Sequence, residues 1–146
     1  MIEFHTLPAD SDSARLRSAC ALIEKAWLDG GRVLVWLNDT PQLTTFDTLL
    51  WTFGDRAFVP HEMLADDPAA CQAPVQLTAA PTLPATVFDA GFTTLCTLRH
   101  DADAAALRFA RVIEVIDAQP ERREAGRQRF RFYREHGISP QHFQIS

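Results

Sequence analysis

Five consecutive apolar residues, Val33-Leu34-Val35-Trp36-Leu37, follow directly on Gly30-Gly31-Arg32. A strand with one wet face alternates apolar and polar side chains, so an unbroken run of this length requires cover on both faces. Such a segment belongs in the middle of a parallel sheet, with helices above and below and crossover connections to its neighbours. Gly30-Gly31 agrees with this reading, because glycine takes the left-handed conformation that ends a preceding helix.

The rest of the chain alternates strand and helix signals around that run. Ile2, Phe4 and Thr6 give a short first strand, and Asp10 or Ser11 can cap a helix extending to about Trp27. Thr40-Pro41 predicts a second helix, with threonine as cap, proline at the first helical position and Leu43, Phe46, Leu49 and Leu50 as its apolar face. Phe53-Gly54-Asp55-Arg56 reads as a turn and Ala57-Phe58-Val59 as a short strand cut off by Pro60. Val75-Gln76-Leu77 and Thr86-Val87-Phe88 are candidate strands, and Phe92 to Leu98 is strand or loop. Ala104, Leu107, Ala110 and Ile113 recur at helical spacing, which predicts a helix from Asp101 to about Asp117. Pro120, followed by Glu121 and Glu124, starts a last helix that Gly137 closes. The expected architecture is one α/β domain over 1–146, a Rossmann-like, largely parallel sheet with helices on both faces.

A chain of 146 residues that is 47% apolar can bury one core without metals or disulfides. Cys20, Cys71 and Cys96 are odd in number and widely spaced, which fits neither a disulfide framework nor a zinc site. The start, Met1-Ile2-Glu3-Phe4-His5, has no basic n-region or apolar run of a signal peptide, and no stretch has the apolar length of a membrane span. The expectation is a cytoplasmic protein. A formal charge of −5 opposes contact with phosphate backbones or anionic membranes over the whole surface.

The last helix departs from that balance. Over 121–136 six arginines face three glutamates, a local +3 that leaves −8 for the remainder of the chain. At about 100° per residue, Arg123, Arg127, Arg131 and Arg134 share one stripe, with Phe130 at its border, Tyr133 beside it and Gly126 opening space one turn earlier. A charge-laced solvent face would show arginines too. Guanidinium groups next to an apolar notch, however, also suit an acidic peptide, whose carboxylates they hold in a two-pronged fork. A phosphate chain competes for the same groups, but the acidic body and the lack of lysine in this helix oppose extended contact with nucleic acid.

Catalytic alternatives find little in the sequence. Neither Gly-x-Gly-x-x-Gly nor Gly-x-x-x-x-Gly-Lys is present, so no phosphate-cradling turn is expected. Cys20, Cys96, His61 and His100 stand in no recognisable nucleophile motif, and Asp66, Asp67, Asp101 and Asp103 read as loop and cap aspartates rather than metal ligands. No cofactor, metal or catalytic activity is expected.

The same helix also resembles a known family. Arg127-Gln128-Arg129-Phe130-Arg131-Phe132-Tyr133-Arg134-Glu135-His136-Gly137 is similar to the C-terminal segment of the chi subunit of bacterial DNA polymerase III. Gly31-Arg32-Val33 resembles the family's entry to its second strand, Leu49-Leu50-Trp51 with Phe58-Val59-Pro60-His61 its Leu-Trp and Pro-His blocks, and Arg111 to Ile116 its penultimate helix. Val87 to Ala90 departs from the family, where a more uniformly apolar strand is expected. The resemblance implies a non-catalytic clamp-loader subunit in DNA replication that meets DNA only indirectly. It would bind the acidic C-terminal tail of single-stranded DNA-binding protein and be tethered to the loader by the psi subunit. Carried over by position, the tail site would comprise Ile116, Arg123, Arg127, Phe130, Arg131 and Gly137, and the psi contact Trp51, Phe58, Val59 and Pro60. The alternative is a module that binds nucleic acid directly through the arginine-rich helix.

Overall fold

A computed structural model describes residues 1–54, 58–64 and 73–145. Asp55, Arg56 and Ala57 of the expected turn and strand lie outside the described residues, as do Asp66, Asp67 and Cys71. Among the described residues, seven strands form one sheet: β1 (Ile2–Thr6), β2 (Val33–Trp36), β3 (His61–Met63), β4 (Val75–Thr78), β5 (Thr94–Thr97), β6 (Arg111–Ile116) and β7 (Gln141–Gln144). Their spatial order is β3-β4-β2-β5-β6-β1-β7, and every pairing is parallel. The apolar run Val33–Trp36 is the central strand, flanked by β4 and β5, and all four of its residues are buried.

Among the described residues three α-helices cover the sheet: α1 (Asp12–Leu28), α2 (Thr40–Thr52) and α3 (Pro120–Glu135). Leu16, Ile23, Phe46 and Leu50 of α1 and α2 pack with Val33, Val35, Cys96, Ile113 and Val115 in one core cluster. Tyr133 and Phe130 of α3 join Phe4, Trp36, Leu95, Val112 and Ile116 in a second cluster formed by the alternate residues of the strands, and thus by the opposite sheet face. Helices therefore lie on both faces. α1 starts at Ser11, whose hydroxyl accepts from the Ala14 amide at 3.1 Å, and ends where Gly30 turns with φ +93°. The α2 cap is Asp39 rather than Thr40, because the Asp39 carboxylate reaches the Gln42 amide at 2.9 Å.

Three expectations are corrected, and one strand was not anticipated. The helix from Asp101 to Asp117 is instead a 3-10 turn (Ala104–Arg108) followed by β6, so Arg111 to Ile116 is a strand and not the penultimate helix. Alanines upstream supply the helical spacing, while Val112, Ile113, Val115 and Ile116 are β-branched and buried on both faces, which hides the two-residue period. Thr86-Val87-Phe88 belongs to another 3-10 turn (Ala85–Asp89). The strand expected before Pro60 comes after it, as β3, because proline has no N–H for a ladder. Finally β7 adds an edge strand beyond Gly137, which its exposed, mostly polar sequence does not announce. Phe92 to Leu98 resolves into β5.

Candidate functional site

The arginines of α3 divide into two sets. Arg122 turns down to Asp117 at the end of β6, with Nε and Nη2 donating to its two carboxylate oxygens at 2.8 and 2.6 Å. Asp117 also accepts from the Ser11 amide at 3.0 Å, and the Arg122 bond holds its carboxyl below the ordinary aspartate value despite burial. Arg129 is buried, and its Nε donates to Glu114 at 2.6 Å while Nη1 reaches the His100 carbonyl at 2.8 Å. The Tyr133 hydroxyl donates to the other Glu114 oxygen at 2.6 Å, and burial together with that carboxylate pushes the phenol well above its usual range. Glu114 lies wholly buried in the middle of β6, so these bonds satisfy a charge that water cannot reach.

Arg123, Arg127, Arg131 and Arg134 are exposed. Arg127 meets Glu124 at 3.3 Å on the open surface, a contact of small worth. The other three make no ion pair among the described residues. Arg123 and Arg127 rim a hollow of about 150 Å³ between α3 and the sheet, lined further by Phe4, Thr6, Ile116, Gly126 and Phe130. Phe130 stands edge-on to Phe4 at 5.4 Å, which fixes that wall. Gly126 faces Ile116, and a Cβ there would lie 2.5 Å from Ile116 Cδ1, so the bare backbone at this turn keeps the floor of the hollow open.

Four of the six residues expected at a tail site, Ile116, Arg123, Arg127 and Phe130, thus line one hollow. Arg131 and Gly137 do not. By helical angle Arg131 lies roughly 180° from the buried centre of α3, and Gly137 ends the helix with φ +80°. Sequence reasoning missed Phe4 and Thr6 as lining residues, although their alternation along β1 puts them on one face.

A second surface lies at the other edge of the sheet, beside β3. Trp51 at the end of α2 is 46% exposed and Phe58 59% exposed, with ring centroids 5.5 Å apart. Behind them the buried His61 lies tilted against Trp51, ring centroids 4.2 Å apart, and is held by the Val59 carbonyl at 2.6 Å and the Asp47 carboxylate at 3.0 Å. Trp51, Phe58, Pro60, His61, Glu62, Ala73 and Pro74 bound an open hollow of about 300 Å³. Val59 is different. It is wholly buried in the α1/α2 core, so its place in the family block reflects packing and not a surface contact.

The remaining chemically suggestive residues have structural partners. The Cys20 and Cys96 thiols are buried, and loss of hydration raises both to about 12, far from a reactive thiolate. The small crevice of about 60 Å³ at the carboxyl ends of the strands contains Arg15, Arg99, Arg122, Arg129 and His100, but Asp12, Asp117 and Glu114 neutralise three of its arginines. Among the described residues no three His, Cys, Asp or Glu converge as metal ligands, and no helix is long and apolar enough to cross a membrane.

Comparison with known proteins identifies the family. The family described as DNA polymerase III chi subunit, HolC, matches residues 1–141. The chain is 37% identical over 136 residues to the DNA polymerase III subunit chi of Pseudomonas aeruginosa, covering 93% of this chain and 90% of that one. To the Escherichia coli subunit of the same name it is 26% identical over 130 residues, covering 89% and 85%. The chain belongs to the family of DNA polymerase III chi subunits, accessory proteins of DNA replication.

Proposed function

We propose that this chain is a non-catalytic adaptor that seats the acidic C-terminal tail of single-stranded DNA-binding protein in the hollow between α3 and β1. One observation carries the reading: two exposed arginines, one without an ion pair among the described residues and one paired only weakly, rim an apolar hollow kept open by a glycine. A peptide ending in an apolar residue would fill the hollow against Ile116 and Phe130, and its terminal carboxylate would take the fork of Arg127. Arg123, one turn back on the same rim, would add its charge beside that carboxylate. Arg131, facing away from the sheet, would act on the approach through its charge rather than by contact.

The Trp51–Phe58 surface is the reading's second arm, a seat for the psi subunit that tethers the adaptor to the clamp loader. Large exposed rings backed by a rigid, hydrogen-bonded imidazole form the kind of anchor that a stable interface requires. The two surfaces flank opposite edges of the sheet, so both partners could be held at once.

The test is a titration of labelled tail peptide and of labelled single-stranded DNA against the wild type and Arg127→Ala. Tail binding should be micromolar, about −7 to −8 kcal/mol, and weaken with salt. Loss of Arg127 should cost about 1.5–3 kcal/mol if it bonds the carboxylate. DNA binding in place of peptide binding, unaffected by that substitution, rejects the proposal in favour of a nucleic-acid module.

A further inference from the structure

β7 lies beside the hollow, paired with β1, which supplies part of its lining. Register in the β1–β7 pair sets Phe4 opposite His142 and Thr6 opposite Gln144, and directly paired residues project from the same face. The Thr6 hydroxyl and His142 Nε2, 2.8 Å apart, are hydrogen-bonded, while His5 and Phe143 stack at 4.9 Å on the other face. His142 and Gln144 are exposed, and the second ring nitrogen of His142 has no partner among the described residues. The α3 face of β7 is therefore an uncovered ledge beside the hollow, with the Arg123–Arg127–Arg134 flank of α3 as the opposite bank.

We infer that this trough between α3 and β7 holds the upstream acidic residues of the bound peptide, with Arg134 and His142 as its contacts, and so sets the peptide's direction. The inference rests on the hollow being the seat of the peptide's end. From there an acidic chain has two ways out. Past the start of α3 it would meet Glu121 and Asp10, both exposed and without an ion pair among the described residues, and be repelled. Along the trough it meets Arg134, which carries no ion pair among the described residues, and the free nitrogen of His142. Arg134 lies seven residues beyond Arg127, about 10 Å along the helix. An extended peptide covers that in about three residues, so acids two to four places before the end fall between the two banks.

The experiment compares two synthetic peptides on the full chain: an aspartate-rich peptide ending in phenylalanine, and a shortened form without the aspartates. His142→Glu and Arg134→Gln should each weaken the long peptide several-fold, about tenfold for the glutamate's added negative charge, and leave the short one unchanged. Arg127→Ala should weaken both. If Arg127→Ala acts on both peptides while His142→Glu and Arg134→Gln act on neither, the trough is wrong and the hollow stands. If His142→Glu weakens the two peptides equally, the histidine acts through Thr6 on the hollow itself, and the inferred direction is overturned. If Arg127→Ala changes neither, the seat itself is wrong. His142 lies exposed on an edge strand, and unchanged melting of its variant establishes that binding alone was altered.

Discussion

Arg122 and Arg123 are neighbours in one helix, yet the first is locked to an aspartate of its own domain and the second faces open solvent over a hollow. Arg129 and Arg127 repeat the contrast one to two turns on. The difference is one of angle, about 100° per residue, set against a sheet that carries acids at two fixed points, Glu114 and Asp117. Composition cannot distinguish these arginines. A cation that meets a buried carboxylate becomes part of the fold, and one that misses it remains available to a partner.

Removing an inward arginine should have the largest effect. Arg129→Ala leaves Glu114 buried with only the Tyr133 hydroxyl, which should cost about 3–5 kcal/mol of stability in urea unfolding, with peptide affinity of the folded protein unchanged. Unaltered stability would erase the distinction between the two sets. Gly126→Ala sharpens the other side. A methyl group there forces Ile116 Cδ1 to move and narrows the hollow, so peptide affinity should fall about tenfold while stability, helped by alanine's better helix propensity, changes little. An unchanged affinity would show that the floor of the hollow is not used.

The smallest effect concerns pH. Arg122 lowers the Asp117 carboxyl from 3.8, and although burial would raise Glu3, its bonds from Arg111 and His5 outweigh this and lower it from 4.5. Depressed carboxyls contribute stability that is complete above those ordinary values and is lost as pH falls through the lower folded ones. Melting temperature should therefore hold down to about pH 5 and drop below it, and Asp117→Asn should flatten the acid limb at a cost near neutrality of about 1 kcal/mol. A variant with the same acid limb as the wild type would remove Asp117 from the inward set's account.

How much of this was legible in the sequence follows from where the signals were strong. The run from Val33 declared a central strand because nothing but double-sided burial tolerates it, and α3 declared itself through Pro120, its charges and Gly137. β6 was misread because a strand buried on both faces loses its alternation, although Glu114 within Val112-Ile113-Glu114-Val115-Ile116 was a clue that a buried acid awaited a partner. β7 gave no signal, since an exposed edge strand of Gln141-His142-Phe143-Gln144 is held by ladder bonds rather than burial. The hollow was half legible. Helical angle gathered Arg123, Arg127 and Phe130, but Phe4 and Thr6 enter through a pairing between β1 and β6 that periodicity does not encode.

That pairing also governs when the site can exist. β1 precedes the other six strands of this sheet in the chain, but its neighbours are β6 and β7, more than a hundred residues later. Contacts so distant in the chain are slow to form, because loop closure must precede any gain from burial. A nascent chain emerging from the ribosome thus carries Ile2 and Phe4 without cover until residues 111–116 arrive, and needs shelter from aggregation in that interval. The hollow itself cannot form before Phe130 has been made, whereas the Trp51–Phe58 surface is drawn from residues 51–74, synthesised well before it.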